Sequence, residues 1–157
     1  MKKQKGFSLI ELLIVVAIIL IIAAIAIPNL LRSRIAANES SAVGSLRSIN
    51  TAQVTYASTY PDAGFSPSLK NLGPATNPLA PTSADAGLLD GVLGCATNAC
   101  KKAGYTFVVG GGGVTYTANG NPTSPGQSGQ RYFYSDASGV IRYSTTGPAT
   151  SADGPLQ

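Results

Sequence analysis

The order of apolar and polar positions divides this chain into two unlike halves. From Leu12 to Ile27 no polar residue occurs, whereas beyond Pro61 the residues Gly, Ser, Thr, Asn and Pro recur every few positions. As an α-helix, Phe7 to Ile27 would span about 31 Å, enough to cross the hydrocarbon core of a bilayer. Pro28 then lacks an N–H and crowds the preceding turn, so a bend or local loosening is expected there. Helical periodicity resumes at once. Leu31, Ile35, Ala42, Leu46, Ile49, Gln53 and Tyr56 follow steps of three, four and seven, with Arg32, Arg34, Asn38, Glu39, Ser45 and Asn50 among them. This predicts an amphipathic helix over 29–60, broken off at Tyr60-Pro61-Asp62-Ala63-Gly64.

The second half reads differently. Pro67, Gly73, Pro74, Pro78 and Pro81 make 61–104 loop-rich. Four runs rich in aromatic and β-branched residues follow: Tyr105–Val109, Val114–Thr117, Arg131–Ser135 and Val140–Tyr143. Gly110–Gly113 and Asp136–Gly139 read as hairpin connections, and Gly147–Pro155 as an aperiodic surface tail. The fold class is α+β: a long N-terminal helix, apolar then amphipathic, packed on an antiparallel sheet of three or four strands. A lone hairpin would be marginal, so the sheet needs that helix contact.

The N-terminus admits three readings. A basic stretch, MKKQKG, precedes the apolar run and marks it for the membrane, with Lys2, Lys3 and Lys5 favouring a cytoplasmic start. Ala24-Ile25-Ala26 fits a signal-peptidase pattern and would release a secreted binding protein or enzyme beginning near Ile27. An uncleaved anchor accounts for length and charge but not for Glu11, a carboxylate within the apolar run, which is costly in lipid. A cut between Gly6 and Phe7 would place a new α-amine four residues before Glu11, on the same helical face. That amine, or a neighbouring copy's, can neutralise the carboxylate and set register between stacked helices.

Lys2-Lys3-Gln4-Lys5-Gly6 followed by Phe7-Ser8-Leu9-Ile10-Glu11-Leu12-Leu13-Ile14-Val15-Val16 resembles the type IV prepilins, including the pseudopilins of type II secretion. The resemblance covers roughly residues 1 to 35; a weaker one extends to Asp136–Tyr143. It implies a leader, 1–6, cut after Gly6 by a prepilin peptidase that also methylates Phe7. It further implies 7–28 as membrane helix and filament core, Glu11 as the residue for recognition and register, and Pro28 as the point where the helix bends on packing. The 61–104 region and a sheet with its tail over 105–157 would form the head. The implied protein is a subunit of a helical homopolymer. It is stored in the inner membrane with its head extracytoplasmic and handled by inner-membrane assembly machinery. A pseudopilin is the alternative within the same scheme.

Charge and composition narrow the chemistry. The formal charge is +4, but without the three leader lysines eight bases face seven acids, and no basic groove is visible for nucleic acid. Histidine is absent, which removes a hydrolytic triad, and the scattered carboxylates Glu39, Asp62, Asp85, Asp90, Asp136 and Asp153 read as solvated. Asp85 and Asp90 match no calcium loop, so metal is left unassigned. Gly110–Gly113 lacks the Lys-Ser/Thr of a phosphate loop. Cys95 and Cys100 lack thioredoxin spacing and a second zinc pair; in an exported head a disulfide between them is expected. The reading is of no enzyme and no cofactor. The tyrosines read as packing residues.

Overall fold

A computed structural model of the chain describes residues 7 to 156. Two units are delimited, one ending at Arg34 and the other starting at Ile35. Helix α1, Leu9–Thr59, contributes to both, and it ends at the Tyr60-Pro61 break that the sequence predicts.

In the second unit, α1 buries one stripe: Ile35, Glu39, Ala42, Val43, Leu46, Ile49, Ala52, Gln53 and Tyr56. The spacing is that of a single helical face. Leu31, predicted on this stripe, is exposed in the other unit. A short α2, Leu69–Leu72, is capped by the hydroxyl of Ser68 and buries both its leucines. The sheet is an antiparallel meander of five strands in sequence order: β1 Cys100–Lys102, β2 Tyr105–Gly112, β3 Thr115–Pro122, β4 Tyr132–Asp136 and β5 Arg142–Ser144. Tyr105, Phe107 and Val109 of β2, Tyr116 and Ala118 of β3 and Phe133 of β4 alternate inward and form one core with the α1 stripe and α2. Each large side chain so buried contributes about 2 kcal/mol.

Three features depart from the sequence expectation. The sheet has five strands and begins at Cys100, because Ala103 and Gly104, both at positive φ, make the tight turn that folds Cys100–Lys102 back on β2. The glycine run is strand rather than loop: Gly110, Gly111 and Gly112 pair with Thr117, Tyr116 and Thr115, leaving only Gly113 and Val114 to turn. Glycine is needed here because Gly111, Gly112 and Gly113 take φ of 90°, 129° and 70°, and Phe65 ties the end of the run down by exchanging two backbone hydrogen bonds with Gly113. Finally, the tail is packed. The Leu156 N–H donates to the Ile141 carbonyl, the Tyr143 N–H to the Gly154 carbonyl, and Ala149 is buried, so the tail covers the edge at β5.

Candidate functional site

In the unit that ends at Arg34, the described residues bury almost nothing. Phe7, every Leu, Ile and Val up to Ile27, and Leu30 and Leu31 beyond Pro28 are exposed. A soluble helix hides one stripe; this one is apolar all round, and it is long and apolar enough to cross a membrane. Pro28 lies inside α1 without ending it. Lacking an N–H, it leaves the Ala24 carbonyl without its usual helical donor, a weak point in the hydrogen-bond ladder.

Phe7 is exposed just ahead of the helix, and Glu11 lies in its first turn. The Ser8 backbone N–H donates to the Glu11 carboxylate at 3.0 Å. This is the carboxylate half of a capping box, in which the third helical residue reaches back to satisfy an N–H that the helix cannot. The spacing Ser8-Leu9-Ile10-Glu11 carried that signal, and the sequence reading missed it. Gly6 and the lysines of the leader lie outside the described residues.

The remaining site residues are in the other unit. Cys95 and Cys100 form a disulfide, closing the loop that leads into β1. Asp85 and Asp90 do not converge. Asp85 accepts from the Thr76 N–H at 2.8 Å and from the Thr82 hydroxyl; Thr76, then Thr82, hold its carboxyl down at about 2. Asp90 accepts from the N–H groups of Leu93 and Val92, and Lys102 lies 3.7 Å away. Among the described residues no three His, Cys, Asp or Glu side chains gather as a metal site would require.

Glu39 corrects the reading of the carboxylates as solvated. It is buried on the α1 stripe, where it accepts from the N–H groups of Gln130 and Arg131 and from Arg131 Nε. Burial pushes its carboxyl up, but the Gln130 N–H and the two Arg131 donors together outweigh burial and hold it below the ordinary value. The signal was present: Glu39 is four residues after Ile35 and three before Ala42, on the face that packs.

Comparison with known proteins bears on the N-terminal segment. The family model described as "Prokaryotic N-terminal methylation motif" matches residues 1–27. Over 54 residues, 34% of this chain, the sequence is 48% identical to the type IV major pilin protein PilA of Myxococcus xanthus. Over 40 residues, 26% of this chain, it is 62% identical to the type IV wide pilus major component PilA4 of Thermus thermophilus. These matches span 24% and 30% of the two relatives' own lengths. No solved structure matches the chain. The chain thus carries the N-terminal methylation motif over residues 1–27 and is similar, over about a third of its length or less, to two type IV major pilins.

Proposed function

We propose that the chain is a structural subunit that polymerises into a pilus-like surface filament after its leader is removed. One observation carries the reading: a helical segment exposed and apolar on every side begins within the methylation motif, at Leu9. Such a surface must be covered, and two environments can cover it. Lipid covers it in the stored precursor. A bundle of identical helices covers it in the polymer, where close packing of aliphatic side chains replaces lipid contacts.

On this reading a prepilin peptidase cuts between Gly6 and Phe7 and the Phe7 amine is methylated. Residues 7–28 then serve in turn as membrane helix and filament core, and 29–60 join them to the head. Pro28 is where the helix bends or loosens when copies pack. The Glu11 carboxylate pairs with the Phe7 amine of its own or a neighbouring copy and penalises any register that strands it in an apolar core. The precursor lies in the inner membrane with its head extracytoplasmic, where an oxidising compartment suits the Cys95–Cys100 bond. Inner-membrane assembly machinery then draws it into an extracellular filament.

The test is intact mass and N-terminal peptide mapping of the protein purified from its native envelope. A chain starting at Phe7 with one added methyl group is expected. A start near Ile27 would remove the apolar segment, and with it the filament and the role given to Glu11.

A further inference from the structure

The polymer reading leaves Arg32 and Arg34 without a role. No ionisable residue occurs between Glu11 and Arg32. Both arginines are exposed, and among the described residues neither takes part in an ion pair or a side-chain hydrogen bond. Glu11 and Arg32 are 21 residues apart on one helix, about 32 Å of rise against a hydrocarbon core of about 30 Å. One depth of insertion therefore puts both charges at opposite headgroup layers. At that depth neither Glu11 nor Arg32 has to enter the hydrocarbon.

We propose that Arg32 and Arg34 form a lipid-binding collar that takes the phosphates of anionic phospholipids in the leaflet on the head side. Two residues correspond to about 200° of helical rotation, so the two guanidinium groups leave the helix in nearly opposite directions. A protein partner docking on one face would meet only one of them, whereas headgroups surround an inserted helix and meet both. Guanidinium groups suit the task, since each donates in a planar fork that matches two phosphate oxygens. The collar fixes the depth of the stored precursor at the end opposite the leader. It also keeps the inserted helix in place once the leader lysines have been cut away. This inference rests on the reading of residues 7–28 as inserted in lipid.

The full chain is reconstituted in phosphatidylcholine vesicles with and without phosphatidylglycerol, carrying a trace of spin-labelled lipid of either type. Electron paramagnetic resonance then measures how strongly each lipid is held at the protein perimeter. Held phosphatidylcholine reports the inserted helix by itself, so its absence would sink the membrane reading together with the collar. With the helix inserted, the preference for phosphatidylglycerol is expected to fall in R32Q/R34Q, by about five-fold for each arginine at most. R32K/R34K should keep most of it, and R47Q, which removes an arginine outside this segment, should leave it unchanged. A preference unaltered in R32Q/R34Q, or lowered as much by R47Q, would overturn the collar while leaving the membrane reading intact.

Discussion

Glu39 and Arg131, 92 positions apart in sequence, meet at 2.7 Å and fasten the β3–β4 connection to helix α1. The guanidinium also lies 5.6 Å from the centroid of the Phe133 ring and 5.7 Å from that of Tyr143, which holds it in line with the carboxylate. One residue earlier on the helix, Asn38 Nδ2 donates to the Ser128 carbonyl at 2.8 Å. Between them these contacts satisfy backbone groups of a connection that belongs to no ladder of the sheet.

Removing the carboxylate should therefore loosen the head without touching the apolar segment. Glu39→Ala leaves the part-buried Gln130 and Arg131 N–H groups without their acceptor and should cost about 2 kcal/mol, while Glu39→Gln, which still offers one acceptor, should cost about half that. The pH dependence has a definite sign. The folded-state value lies below the ordinary one, so the contribution is complete above the ordinary carboxylate range and is lost as pH falls through the folded value. Denaturation midpoints measured down an acid series should converge for parent and Glu39→Gln. A constant gap at every pH would show that the charge contributes nothing.

The β1–β2 turn stores a small strain that a single substitution should relieve. Ala103, at φ 47°, is exposed and precedes Gly104 at φ 74°; no other non-glycine residue among those described has positive φ. A left-handed conformation costs an alanine about 1 kcal/mol, and asparagine tolerates it better in a two-residue hairpin turn. Ala103→Asn should raise the denaturation midpoint by an amount worth about 0.5 kcal/mol, with no change in the denaturant slope. A lowered midpoint would show that the turn is held by contacts the backbone angles do not reveal.

How far the fold was legible followed from how local its causes are. The long helix and its Tyr60-Pro61 stop, the inward alternation at Tyr105, Phe107 and Val109, and the Cys95–Cys100 pair all depend on neighbours within a few positions, and each could be read. What escaped depends on remote partners. β3 runs through Asn119-Gly120-Asn121-Pro122, which reads as turn, yet Gly120 leaves the room that Phe107 and Leu46 fill: a Cβ there would lie 3.1 Å from the Phe107 ring. The glycine run reads as loop until Phe65 is known to pair with Gly113. Glu39 reads as solvated because its partner is distant in sequence, although the stripe on which it stands is visible. In the apolar segment what escaped was itself local: the cap that Glu11 gives the Ser8 N–H lies within three residues and was overlooked.

The disulfide closes a short loop, so its effect should be modest. Joining residues five apart removes little freedom from the unfolded chain, about 2 kcal/mol on the chain-entropy account. The double variant Cys95→Ser/Cys100→Ala, which avoids burying a hydroxyl at the nearly inaccessible Cys100, should lower the denaturation midpoint by that amount. Reductant should lower the parent's midpoint equally and leave the variant's unchanged. Peptide mapping under non-reducing conditions should recover the two cysteines in one linked fragment, and free thiols in exported protein would remove the pairing.

Two properties of Glu11 can be separated by choice of substitution, because its carboxylate caps the Ser8 N–H and also carries a charge. Glutamine can occupy the third helical position of a capping box almost as well as glutamate, but it cannot neutralise an amine. If charge pairing with Phe7 sets the register of stacked helices, Glu11→Gln and Glu11→Ala should both insert normally and both lose filaments. If the cap alone matters, Glu11→Gln should assemble like the parent and only Glu11→Ala should fail. The register role predicts the first pattern. Sheared filament yield, normalised to membrane-inserted subunit and to the extent of leader cleavage, distinguishes the two. Wild-type yield from Glu11→Gln would return Glu11 to the ordinary business of starting a helix.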